Sequence, residues 1–468
     1  MNADTTTQPA LPVTDPVVQI KLSEVIGALS YALDITEGQP EGHAARSCML
    51  GMRIAREFRL PAATSSALFY GLLLKDLGCS SNASKMCYLF GSDDRAAKRD
   101  VKTVDWSRVS RSIGYIAGHV APQGSIFRKA AKFAQVAIGG VKQAKALVAL
   151  RCDRGAKIAK DLQFPDETAE AIRALDEHWD GSGHPDGLAG ERIPLLARIL
   201  SLAQTAEVFI RLHGLEAAMN VVRERSGTWF DPSLARVFLS LRSDTAFWQE
   251  LQEGDPRQRV SAFEPQDQVL CAQESSLDRI AQSFAQVIDA KSPWTFRHSE
   301  GVARISVGIS EVMGFGPAEC RHMRRAALLH DIGKLGISNL ILDKPAKLTP
   351  EEMTEMKKHP RYTYEILTRV AGFRVFADLA ASHHERLDGK GYHRGLGADQ
   401  LSTPARILAV SDMYEALAAK RPYRQDLAPE EVMTILSKNA GPGICPEVFA
   451  ALKTWLATSA YTPIKLAA

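Results

Sequence analysis

Apolar residues recur at steps of three and four along most of the chain, and strict two-residue alternation is nearly absent, which predicts an all-α fold. From Val18 to about Leu60 the helical spacing is interrupted only by the turn-forming Glu37-Gly38-Gln39-Pro40-Glu41-Gly42. Beyond that turn His43, Ser47, Gly51, Ile54 and Phe58 share one face, a pattern usual for core packing. After Pro61 the pattern predicts a helix over Ser65–Leu77, and in the second half Leu277, Ile280, Phe284, Val287 and Ile288 open another. The helix that follows carries His298 on the same face as Val302, Ile305, Ile309 and Val312, so His298 points into the interior. A helix over 405–419 sets Asp412 among apolar neighbours. Residues 252–275 are rich in Glu, Asp, Gln and Pro and read as a linker, with Gly254-Asp255-Pro256 and Glu264-Pro265 breaking any helix.

The helix endings repeat. Leu73-Leu74-Lys75-Asp76-Leu77-Gly78 parallels Leu328-Leu329-His330-Asp331-Ile332-Gly333, and His43 precedes Lys75 by 32 residues as His298 precedes His330, an offset of 255 between halves. Arg151, Asp176 and Gln204 are separated by 25 and 28 residues, as are His359, His384 and Asp412. The segment 180–188 aligns with 388–396, and Ala-Arg-Ile-Leu occurs at 197–200 and again at 405–408. A tandem duplication accounts for these matches, with an insertion of about 47 residues between Cys79 and Arg151 in the first copy. The expected layout is a disordered tail over 1–16, a first domain over 17–251 with its insertion at about 80–130, a linker over 252–275 and a second domain over 276–468.

At 468 residues the chain is long enough for each domain to bury its own core. The formal net charge of +3 gives no argument for nucleic acid or a membrane. Arg95, Lys98, Arg99, Lys102, Arg108 and Arg111 form a local basic run that reads as a solvated loop. The seven cysteines are scattered and never form a Cys-x-x-Cys pair, which suits reduced thiols in a cytoplasm. No apolar run approaches the ~20 residues needed to span a bilayer. The segment from Met1 to about Asp15 is polar and lacks the apolar core of a secretory signal.

The chemistry concentrates at His330-Asp331, at the end of the apolar run Ala327-Leu328-Leu329. A buried histidine beside a buried carboxylate is costly unless each is paired or bound to a cation. His298 lies upstream, and His359, His383, His384 and Asp412 lie downstream. Imidazole and carboxylate suit divalent first-row metals, and seven such groups exceed the needs of one tetrahedral ion. Two metals sharing a carboxylate is the economical reading.

Residues 276–455 resemble an HD-GYP domain, a subgroup of the HD metal-dependent phosphohydrolases. The matching pieces are Trp294-Thr295-Phe296-Arg297-His298-Ser299, His330-Asp331-Ile332-Gly333-Lys334, His359-Pro360, His383-His384-Glu385-Arg386 with Asp388-Gly389, and Asp412 with Arg421-Pro422-Tyr423-Arg424. The resemblance implies one metal held by His298, His330, Asp331 and Asp412, and a second held by His359, His383 and His384, with Asp331 bridging. Iron or manganese is the implied metal. Trinuclear members carry a glutamate four residues before the first histidine; Trp294 stands there, so two metals are expected. The implied substrate is cyclic di-GMP, opened to linear pGpG and on to GMP. Asp331 and Lys334 would act at the scissile phosphate, and Arg421 and Arg424 would bind phosphate or a guanine edge. The family's Gly-Tyr-Pro is here Gly391-Tyr392-His393, which removes a rigid backbone restraint from a loop where a diguanylate cyclase or another signalling partner would dock.

At the corresponding positions the first half keeps His43 and Asp76 but carries Lys75, Arg151, Leu175, Asp176 and Gln204. Fixed positive charges at 75 and 151 exclude a cation, and Asp76 is expected to pair with Lys75 or Arg151 instead. This half reads as a degenerate HD-like domain kept for packing, homodimerisation or regulation. Cys79-Ser80-Ser81-Asn82 and Arg151-Cys152-Asp153-Arg154-Gly155 read as polar caps and turns rather than as a small-molecule pocket. Two alternatives to a cyclic dinucleotide phosphodiesterase stand: a phosphohydrolase of another nucleotide, and a signalling scaffold with vestigial metals. No DNA-binding helix pair is evident.

Overall fold

Helices make up nearly all regular structure in the computed structural model, which describes residues 20–104, 109–122, 125–265, 270–295, 297–419 and 427–459. The tail expected over 1–16 lies outside the described residues, as do Arg421 and Arg424. The strand pairing among the described residues is one antiparallel ribbon of two-residue strands, Ile20 opposite Ala272 and Lys21 opposite Cys271.

The first half packs Leu22–Thr36, His43–Ala55, Ala62–Leu74, Asp166–Arg173 and Leu195–His213 around an apolar centre. The second half packs Glu274–Asp289, His298–Val312, Pro317–Leu329, Ala377–Ala381 and Thr403–Ala418 in the same order. One apolar cluster runs through both halves, from Leu29, Leu50 and Leu200 to Phe284, Ile305 and Val410. Burial of such side chains is the main favourable term in folding.

The helix predicted over Ser65–Leu77 spans Ala62–Leu74 instead. Pro61, with ψ of 150°, lets the helix start at once, and the chain must leave it early to bring Gly78 against the next segment. A Cβ at Gly78 would lie 1.8 Å from the Arg151 carbonyl oxygen; its counterpart Gly333 would place one 1.9 Å from the His359 carbonyl oxygen. Only glycine permits that approach, which sets the His330 turn directly against the start of the His359 helix.

The insertion is itself helical. Ala83–Phe90, Asp94–Val101, Val109–His119 and the 36-residue Ile126–Asp161 enclose a small separate core that includes Met86, Phe90, Tyr115 and Val136. The reading of the basic run as a solvated loop is overturned at Lys98 and Lys102, while Arg99 is exposed and Arg108 lies outside the described residues. Asp93 caps the helix Asp94–Val101 by accepting from the Arg95 amide, and Lys98 and Lys102, one turn apart, share its buried side. Lys98 donates to the Cys79 carbonyl at 2.7 Å, and Lys102 lies 3.0 Å from Glu37. Buried carboxylates drew these lysines inward, where spacing along the sequence alone suggested solvent.

Residues 252–275 include the short helix Pro256–Val260, capped by Asp255, with Val260 and Phe263 buried. Glu264 accepts from Ser23 Oγ and Tyr70 Oη, each at 2.7 Å, so this segment is docked on the first half. No helix among the described residues is long and apolar enough to cross a membrane.

Candidate metal centre

His298 opens its helix after Arg297, whose φ of 56° turns the chain in. His330 and Asp331 end Pro317–Leu329, His359 begins the next long helix, His383 and His384 follow Ala377–Ala381, and Asp412 sits within Thr403–Ala418. Five segments far apart in sequence thus deliver seven donors to one place.

Asp331 is at the centre. Its Oδ2 lies 3.5 Å from His298 Nε2 and 3.3 Å from His330 Nε2, while its Oδ1 lies 3.4 Å from His359 Nε2 and 3.6 Å from His383 Nε2. Asp412 Oδ1 is 3.3 Å from His298 Nε2 and 3.7 Å from His330 Nε2, and its Oδ2 is 3.8 Å from His384 Nδ1. The donors form groups in which every ligand atom lies within 4.8 Å of the others: His298, His330 and Asp412; His330, Asp331 and His383; His359, His383 and His384.

The rings are aimed from behind. His330, His359 and His383 each direct Nδ1 to the carbonyl three residues earlier, of Ala327, Met356 and Ala380, at 2.7 Å. That contact places the Nδ1 proton and leaves Nε2 as a lone-pair donor facing inward. His298 instead bonds Nδ1 to Glu415. His298 Nε2, His330 Nε2 and Asp331 Oδ1 are buried without a protein hydrogen-bond partner, a state that polar atoms rarely hold unless something else binds them.

The electrostatics agree. Burial opposes charge on every group here, yet His330 and neighbouring cations hold Asp331 well below the usual carboxylate range, and contacts with His298 and His330 do the same for Asp412. Burial lowers His359 to about 3 and, with His383, pulls His384 well down. At His298 and His330 the facing carboxylates overcome burial, lifting His330 to about 9. Two ionised, buried carboxylates ringed by imidazoles are a donor set for divalent cations, and the residues present fit such ions.

Lys334 bonds Asp331 Oδ2, and the Tyr392 ring lies over His384 with centroids 4.7 Å apart. His384, with a side chain 28% exposed, marks the open side of the centre. Arg421 and Arg424, expected to bind substrate, lie outside the described residues.

The first half holds the same scaffold with lysine in it. His43 bonds Glu207 as His298 bonds Glu415. Lys75 Nζ lies 3.0 Å from His43 Nε2 and pairs with Asp76, whose other oxygen is 3.5 Å from Lys102 Nζ. Arg151 pairs with Asp176. Of the two expected partners of Asp76 only Lys75 is in place; the second is Lys102, delivered by the insertion. Gln204 occupies the position of Asp412 and removes a negative charge. Glu37, Asp76 and Cys79 are close enough to hold an ion, but Lys98 and Lys102 already face Glu37.

Sequence reasoning missed Glu415, Thr363 and Lys102. Thr363 accepts from the Gly333 amide and donates to the His330 carbonyl, fixing the turn that presents Asp331. Glu415 stands three residues after Asp412, as Glu207 stands three after Gln204, so the repeat itself carried a signal for it.

The HD-domain family model matches residues 134–234 and 282–448. The chain is 41% identical over 432 residues to 3′3′-cGAMP-specific phosphodiesterase 3 of Vibrio cholerae serotype O1, covering 92% of this chain and 94% of that protein. A crystal structure of a cyclic GMP-AMP-specific phosphodiesterase in V. cholerae superposes with a TM-score of 0.64 at 37% identity, over 94% of this chain and 99% of that one. A cyclic di-GMP phosphodiesterase of Thermotoga maritima is 40% identical over 177 residues, 37% of this chain and 48% of that protein.

Proposed function

The chain belongs to the HD-domain family, within its HD-GYP type, and on that premise we propose that it is a phosphodiesterase opening cyclic dinucleotides at a centre of two divalent cations. The observation that carries the reading is Asp331, with one carboxylate oxygen toward His298 and His330 and the other toward His359 and His383. His298, His330, Asp331 and Asp412 would hold one ion, and His359, His383 and His384 the other, with Asp331 shared. When bound, iron or manganese would supply Lewis acidity toward a phosphodiester oxygen and a nucleophile at neutral pH.

The chain's own groups do the rest. The backbone carbonyls behind three histidines hold their lone pairs inward, and His298, His330, Asp331, His359 and His383 are buried. Lys334, already at Asp331, carries a cation to the side where a phosphate would bridge. Tyr392 offers a ring beside His384 on which a base can stack. Arg421 and Arg424 supply fork-shaped donors for phosphate or a guanine edge. The first half is read as a degenerate copy whose lysines replace the ions.

For the substrate, similarity along the whole chain to cyclic GMP-AMP phosphodiesterases supports 3′3′-cGAMP. The match over 177 residues to a cyclic di-GMP phosphodiesterase supports the second reading, cyclic di-GMP opened to pGpG and GMP. The test is elemental analysis of anaerobically purified protein together with chromatography of each cyclic dinucleotide after incubation. Two metals per chain and a linear dinucleotide product are expected, with the faster substrate deciding between the two. No metal after reconstitution would overturn the reading.

A further inference from the structure

The helix Ile126–Asp161 turns an apolar stripe outward at its first turns. Ile126 and Phe127 are 82% and 89% exposed, and Ala130, Ala131 and Ala134, at helical steps behind them, are exposed too. An amphipathic helix normally points such a stripe at the core. Here the core-facing side is a different one: Val136 is buried with Met86, Phe90 and Tyr115, and Phe133 packs against them. Tyr88, 73% exposed, stands beside these turns with Lys132 Nζ 4.4 Å from its ring centre and donating to its carbonyl.

Charge is the second observation. From Trp106 to Cys152 the sequence holds eight arginines and lysines and no aspartate or glutamate, in a chain whose formal net charge is only +3. Arg151 is tied to Asp176, whereas Lys129 is exposed next to the stripe. A bulky apolar tip set in an acid-free basic segment has two requirements, an apolar medium and a field of negative charge.

We propose that this tip docks the protein on the surface of an anionic lipid bilayer, with Ile126 and Phe127 entering the acyl boundary and Lys129 meeting the headgroups. A second copy of the chain would bring two acid-free basic segments face to face. A nucleic acid would match the charge but leave Ile126, Ala130 and Ala134 without a counterpart. The docking is peripheral and uses none of the residues of the metal centre.

The test is flotation of the full-length protein with vesicles of phosphatidylcholine alone and of phosphatidylcholine mixed with phosphatidylglycerol. Binding is expected to the mixed vesicles and to weaken with salt. The double substitution Ile126→Ser with Phe127→Ser is expected to weaken it at least about tenfold while leaving helix content and phosphodiester hydrolysis unchanged. Lys129→Glu should weaken binding to the anionic vesicles alone. No flotation, equal binding to both vesicle types, or full retention by the double variant would overturn the proposal. So would tighter binding to a single-stranded oligonucleotide that persists in the double variant, which would assign the basic segment to nucleic acid.

Discussion

His298 and Glu415 are joined through Nδ1 and Oε2, and His43 and Glu207 make the same contact in the first half. Gly301 makes room for it, because a Cβ there would lie 2.9 Å from Glu415 Cγ. In the first half the pair persists where Lys75 stands in the place of His330, so it belongs to the packing of the scaffold. In the second half it also aims Nε2 at Asp331 and Asp412.

Glu415→Gln keeps the shape of that contact and removes its charge. Loss of an outer partner of a metal-binding histidine costs about 10–100-fold in metal affinity. Calorimetric titration of metal-free protein with Mn²⁺ should show a drop of that size with little change in unfolding temperature. Unchanged affinity would reduce Glu415 to a packing role.

Asp331→Ala removes the carboxylate facing both histidine sets. Metal per chain should fall, and kcat for cyclic dinucleotide hydrolysis should drop by at least about a thousandfold. Full metal occupancy with near-normal turnover would place the reaction elsewhere.

Asp76→Ala should act on stability alone. It leaves the buried ammonium groups of Lys75 and Lys102 without their shared carboxylate. Breaking a buried pair in this way costs about 3–5 kcal/mol. Urea unfolding should show that loss while metal content stays at the wild-type level.

Asp34 gives the pH dependence its sign. Burial raises its carboxyl to about 7, although the amides of Gly42 and Ala44 donate to it. The folded state therefore holds a proton that the unfolded chain releases near pH 4. The stabilisation is fully present below that pH and is lost as pH rises toward 7. Asp34→Asn should flatten the fall by an amount on the order of 1–4 kcal/mol between pH 4 and 7.5, read as the difference between the two proteins' urea midpoints. Parallel profiles would show that Asp34 is ionised throughout.

Much of this architecture is legible in the sequence. Helical class follows from apolar spacing, which is local. The duplication was legible because substitutions leave spacing intact, so Lys75 still sits 32 residues after His43. The gathering of six histidine and aspartate side chains around Asp331 was legible because buried histidine and carboxylate side chains demand a partner. Lys98 and Lys102 misled because their partners, Glu37 and Asp76, lie on other elements.

The sequence by itself determined which donors exist, their order along the chain and the replacement of His330 by Lys75 in the first copy. The tertiary structure alone decided that the two oxygens of Asp331 face different histidine sets, that Glu415 backs His298, that Lys102 neutralises Asp76, and that Ile126 and Phe127 face outward. The reason is physical: composition and periodicity report what a side chain requires within a few turns of its own backbone. Which distant group meets the requirement depends on how the helices pack, and here that packing turns on a few close approaches, such as Gly333 against the His359 carbonyl.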